Sequence, residues 1–146
     1  MKIVTDATVL IRAHKRSRGL ARRLLHEILE RDHRLVLSNE MIAAAAKVLR
    51  YPRFKDLDSL TEADLLEYTQ YLQNAADIVI LDPQYSAPVL RDPQDTHVLQ
   101  TAERGEADVL CTNDGDFHDE GVLAFCLSRG IEVCTEATLL ARLIRQ

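Results

Sequence analysis

The sequence predicts an α/β fold, a three-layer sandwich in which a central parallel sheet is covered by helices on both faces. Three observations carry that expectation. Short apolar runs alternate with stretches of helical periodicity along the whole chain, the spacing between runs is long enough for a helical crossover, and helix start signals recur at the boundaries.

The alternation begins at Lys2 to Thr5 (KIVT), which reads as a strand, and Arg18 to Glu30 follows with Leu20, Leu24, Leu25, Ile28 and Leu29 at helical spacing. A second strand, Arg34 to Leu37, ends at Ser38, an N-cap for a helix over Asn39 to Arg50. Tyr51-Pro52 stops that helix, because proline pushes the residue before it out of the α region. Thr61-Glu62-Ala63-Asp64 has the pattern of a capping box and opens a helix to about Asn74. The strand Asp77 to Leu81 and a proline-containing loop to Arg91 come next. Asp92-Pro93 supplies an N-cap and a first-position proline for a helix to about Arg104. Strand Asp108 to Thr112, a helix from about Glu120 to Arg129, strand Ile131 to Cys134 and helix Glu136 to Arg145 complete the pattern.

At 146 residues and 47% hydrophobic content the chain matches one domain, residues 1–146, without repeat, low-complexity tract or linker. The apolar runs are short and broken by charge, and MKIVTD has no signal-peptide character, so membrane association is not expected and the cytoplasm is the expected location. Cys111, Cys126 and Cys134 are odd in number and set among apolar residues, which favours reduced packing residues over disulfides or zinc. Net charge is −5, yet Arg12, Lys15, Arg16, Arg18, Arg22 and Arg23 fall in one stretch with no acid among them. That stretch is either a solvated helix face or a phosphate-binding patch. The scarcity of aromatic residues argues against a base-stacking platform.

In open parallel sheets, ligands bind beyond the carboxyl ends of the strands. Asp6 closes the first strand, Asp114 follows Val109 to Thr112 with Asp116 close behind, and Asp95 begins the helix leading into that strand. Carboxylates gathered in one crevice raise each other's pKa unless a cation neutralises them, and hard oxygen donors suit Mg²⁺ or Mn²⁺. Each aspartate also has a plainer role available. Asp6 fits the cap of a short helix from Ala7, Asp95 an acid favoured by the helix dipole, and Asp114 a turn in Thr-Asn-Asp-Gly-Asp.

The segments IVTDATVLIRA, LVLSNEMIAAAAKVLRYPRF and DPQDTHVLQTAERGEADVLCTNDGDF together resemble the PIN-domain family, and within it the branch of toxin components of toxin-antitoxin systems. The resemblance implies a metal-dependent endoribonuclease. It assigns Asp6, Asp95 and Asp114 as catalytic metal ligands for Mg²⁺ or Mn²⁺, Asp116 as a supporting carboxylate, and RNA, an antitoxin protein and a second copy of the chain as partners. Two positions depart from the family pattern. Asp6-Ala7-Thr8 stands where Asp-Thr-Asn or Asp-Ser-Asn is usual, and Ala44, six residues past Ser38, replaces the expected glutamate. Glu40 lies one turn earlier on the same helix face, about 6 Å along the axis, and is a further candidate ligand.

The alternative function is a catalytically weak or inactive PIN module that binds RNA or a protein partner, which Ala7 and Ala44 favour and the intact aspartate trio opposes. A phosphoacceptor domain would need paired acids after the first strand and a late lysine; Val4-Thr5-Asp6 and Cys134-Thr135-Glu136 supply neither. His97 and His118 border the aspartates, where surface or packing roles suffice.

Overall fold

The computed structural model describes residues 1–14, 17–51, 60–84 and 92–146. The elements in chain order are β1 (Lys2–Thr5), α1 (Ala7–Arg12), α2 (Leu20–Glu30), β2 (Arg34–Ser38), α3 (Asn39–Leu49), α4 (Glu62–Ala75) and β3 (Asp77–Val79). Then come α5 (Pro93–Arg104), β4 (Val109–Cys111), a 3-10 turn (Gly115–His118), α6 (Glu120–Ser128), β5 (Glu132–Cys134) and α7 (Glu136–Arg145).

The strands form one sheet in the order β3-β2-β1-β4-β5, and every pairing is parallel. Right-handed crossovers then decide the layers. The chain winds β1 to β2 to β3 in one direction, so α2 lies on one face; it returns past β1 to β4 and β5, so α5 and α6 lie on the other. Contacts agree: α5 touches β1 and β2, α6 touches β5, and α2 packs against α7. The close approach of α5 to the sheet depends on Gly105, where a Cβ would come within 2.6 Å of Val36. The core is continuous and includes Ile3, Val4, Leu35, Leu37, Leu99, Leu110 and Phe117.

Most boundaries follow the local chemistry that predicts them. Ser38 accepts from the Met41 N–H, Thr61 and Asp64 form a reciprocal capping box, and Asp92 caps a helix with Pro93 in its first turn. Strands are shorter than expected at β3, β4 and β5: Ile80 and Leu81 fall outside β3, Asp108 and Thr112 outside β4, and Ile131 outside β5. Two short elements take the plainer roles open to their aspartates: Ala7–Arg12 forms the helix α1 capped by Asp6, and Gly115–His118 forms a 3-10 turn capped by Asp114. The helix stop at Pro52 and much of the loop to Arg91 lie outside the described residues. The cysteines are free and buried, as their apolar surroundings implied. Among the described residues, no helix is long and apolar enough to cross a membrane.

Candidate active site

The sheet order reverses between β1 and β4, the switch point where a crevice opens beyond the strand ends. Asp6 leaves β1 there and Asp114 follows β4. The Asp6 N–H donates to the Cys111 carbonyl at 3.1 Å, extending the β1–β4 ladder to the site. Asp95 arrives from the first turn of α5. A cleft of about 270 Å³ is lined by Asp6, Thr8, Arg12, Asn113 and Asp114.

Asp95, Asp114 and Asp116 converge, with one carboxylate oxygen from each lying within 4.8 Å of the others. Asp95 is half-buried, and among the described residues no hydrogen-bond donor reaches its carboxylate. Its pKa is pushed up to about 7, first by burial and then by the charges of Asp114, Asp92, Asp116 and Asp6. That is the electrostatic condition a divalent cation relieves, and the all-oxygen donor set fits Mg²⁺ or Mn²⁺.

Asp6 is near enough to act on Asp95 but stands outside the converging trio. Both of its oxygens are engaged: Oδ1 accepts from the Val9 N–H at 2.9 Å and Oδ2 from the Thr112 hydroxyl at 2.5 Å. Burial raises its pKa, while Thr112, Val9 and Arg12 oppose the rise. Asp114 also does local work, since its Oδ1 accepts from the Asp116 N–H at 3.0 Å. The plainer roles of Asp6 and Asp114 as caps are therefore real, and they coexist with the clustering. Glu40 lies exposed in the first turn of α3 and is not brought into the trio; Ala44 is half-buried one turn on.

Thr112 and Glu136 escaped the sequence reading. The Thr112 hydroxyl donates to Asp6 and accepts from the Asp114 N–H at 3.0 Å, tying the two strand-end aspartates together. His118 Nε2 meets the Thr112 carbonyl at 3.0 Å, holding the 3-10 turn against β4. Glu136 begins α7 just past β5 and is wholly buried. It forms a two-point ion pair with Arg12, with Nη1 donating to Oε2 at 3.0 Å and Nη2 to Oε1. The rule that singled out Asp6 and Asp114, residues just past a strand, also points to Glu136 when applied to β5.

The basic stretch is not one uniform patch. Arg12 faces Glu136, and Arg22 donates to the Ala13 carbonyl at 3.2 Å and borders a hollow with Tyr68 and Tyr71. Arg18 and Arg23 are exposed, while Lys15 and Arg16 lie outside the described residues.

A parallel sheet with carboxylates drawn to its switch point defines the class, an α/β domain with a candidate site for a hard cation. Residues 2–116 match the PIN domain family, and the chain belongs to it. PIN domains are generally nucleases and usually bind divalent metal. The fold is also similar to that of a PilT N-terminus domain protein from the hyperthermophilic archaeon Sulfolobus solfataricus P2. The two are 14% identical with a TM-score of 0.50, over 100% of this chain and 96% of that one. No curated protein matches the chain.

Proposed function

We propose that this PIN domain is a metal-dependent endoribonuclease. The observation that carries the reading is the convergence of Asp95, Asp114 and Asp116 beside Asp6 at the switch point, with Asp95 held against its charged neighbours. Asp95 and Asp114 would hold Mg²⁺ or Mn²⁺ with support from Asp116, and Asp6 would complete the site as a catalytic ligand. When bound, such an ion polarises a phosphodiester and makes water a stronger nucleophile. The protein's own residues set the stage for that chemistry. Thr112 fixes Asp6 and the Asp114 backbone relative to each other, and burial of Asp6 and Asp95 lowers the local dielectric. Arg12, which lines the cleft, would supply a phosphate contact, with further contacts from the basic stretch of Lys15, Arg16, Arg18, Arg22 and Arg23.

Glu40 is proposed only as a contributor through water, since it stands apart from the trio. The toxin assignment, with an antitoxin partner and self-association, rests on the likeness of the three quoted segments to that branch. It is tested by whether the neighbouring reading frame encodes a small DNA-binding protein. The nuclease reading is tested by incubating the purified chain with structured RNA, with and without Mn²⁺. Cleavage that requires Mn²⁺ and disappears in Asp95→Asn supports it; an RNA left intact by the wild type under these conditions rejects it.

A further inference from the structure

Glu136 lies beyond the residues that match the family, yet its side chain ends at the same sheet edge as the aspartates. It is wholly buried, and its backbone N–H donates to the Asn113 side-chain oxygen at 3.0 Å, next to Asp114. Its two oxygens take Nη1 and Nη2 of Arg12, whose side chain keeps 43% of its surface exposed and lines the cleft with Asp6 and Asp114. A buried acid paired with arginine adds little net stability compared with an apolar pair of similar volume. What the pair does provide is orientation. A two-point grip fixes the plane of the guanidinium, which still has three of its five N–H groups to offer. A free surface arginine loses rotamer freedom each time it meets a phosphate; this one is ordered beforehand.

We propose that Glu136 is a positioning residue that holds Arg12 at the rim of the acidic cleft as a fixed anchor for a backbone phosphate of the RNA. The proposal rests on the nuclease reading and adds the residue that aims the substrate's charge toward the aspartates. It has a sign that simple electrostatics lacks. Glu136→Gln removes a negative charge near the substrate path, so a charge effect alone strengthens RNA binding. Loss of positioning weakens productive binding instead.

Cleavage of one RNA in Mn²⁺ at fixed salt would be compared across wild type, Glu136→Gln, Arg12→Lys, Arg12→Met and the double variant Arg12→Met/Glu136→Gln. The expected result is a fall of about tenfold in kcat/KM for Glu136→Gln, carried mainly by KM, which corresponds to the loss of one good charge-assisted contact. Arg12→Lys should fall similarly because an ammonium cannot make the two-point pair. In the Arg12→Met background Glu136→Gln should add no further loss, and the slope of log KM against log salt should shrink by about 0.7, one phosphate's worth on a single strand. An unchanged or raised kcat/KM in Glu136→Gln overturns the proposal, as does a loss that persists in full without Arg12. If Glu136→Gln does not fold, Arg12→Lys and the double variant, which removes both charges together, decide it: equal activity of Arg12→Lys and wild type overturns it. A wild type that cleaves in Mn²⁺ while Glu136→Gln matches it sinks the anchor alone. A wild type that never cleaves sinks the nuclease reading and the anchor with it.

Discussion

Two charge clusters share one edge of the sheet and are built on opposite principles. Glu136 is buried completely, and the chain supplies its counter-charge from Arg12. Asp95, Asp114 and Asp116 crowd within reach of one another, and the raised pKa of Asp95 records first burial and then repulsion, which no basic side chain offsets among its causes. The first cluster is neutral within the chain; the second calls for a cation from outside. Buried or crowded acids are costly unless paired, so the contrast separates an acid that orders the protein from acids kept ready for a ligand.

The largest expected effect breaks the first cluster. Arg12→Ala strands the Glu136 carboxylate without a partner in the protein interior, which should cost about 3 kcal/mol of stability. For a chain of this length that is a fall in Tm of about 10 °C. Arg12→Met/Glu136→Gln removes both charges and should recover most of the loss. Urea midpoints of the three proteins check this, and equal stability of wild type and Arg12→Ala would show that the pair does not neutralise a buried charge.

The second cluster should respond in the opposite direction. Asp95→Asn removes one repelling charge, so in a chelator the variant should melt above the wild type. In Mn²⁺ the order should reverse. At a concentration of about 100 times Kd, binding to the folded state adds about 2.7 kcal/mol to the wild type, and the variant should gain much less. A wild-type midpoint indifferent to Mn²⁺ would place the trio among ordinary acidic clusters.

The pH dependence sharpens the same distinction. Asp95 has a folded pKa of about 7 against a reference of 3.8, so the folded state binds a proton that the unfolded state releases. Its contribution favours the fold below the reference value and is lost as pH rises through about 7. In a chelator, stability attributable to Asp95 should therefore fall between about pH 4 and 8, and Asp95→Asn should flatten that fall. Mn²⁺ should flatten it too, and should raise the midpoint more at about pH 8 than at about pH 5. An identical pH profile for wild type and Asp95→Asn would contradict the raised pKa of Asp95 and the burial and crowding that cause it.

How much of this is legible in the sequence depends on the range of the interactions involved. Helix starts are readable because a cap is a local object: Ser38, Thr61 with Asp64, and Asp92 with Pro93 act over a few residues. The parallel sheet is readable from alternation, and its switch point places Asp6 and Asp114 together. The Arg12–Glu136 pair is not readable, because 124 positions separate its members and it exists only once β5 and α7 have packed. In the sequence, Arg12 therefore looks like one more member of a basic stretch. The Thr112 bridge escapes for the same reason, since its hydroxyl reaches Asp6 across 106 positions. The short helix α1 is legible only through its cap, Asp6, because six residues give too little periodicity to register.

The smallest effect concerns the carboxylate that the family pattern supplies and this chain lacks. Ala44 sits on α3, half-buried, where the family's glutamate is expected, and Glu40 one turn before it is exposed and apart from the trio. Ala44→Glu adds a charge-bearing oxygen donor to a region already short of positive charge. Two outcomes compete: added repulsion without an ion, and added ligation with one. Alanine to glutamate costs little in helix propensity, so the fold should survive. In a chelator the variant should be slightly less stable than the wild type; in Mn²⁺ it should bind about tenfold more tightly, roughly 1.4 kcal/mol, because Mg²⁺-like ions accept a carboxylate in place of water. Cleavage should rise in step. Glu40→Ala provides the control: if Glu40 already contributes through water, its removal weakens Mn²⁺ binding in the wild type and matters less in the Ala44→Glu background. Calorimetric titration of the single and double variants measures both effects. A folded Ala44→Glu with unchanged Mn²⁺ affinity would mean that α3 does not face the ion, and that the three aspartates of the trio, with Asp6, are the whole of the metal-binding set.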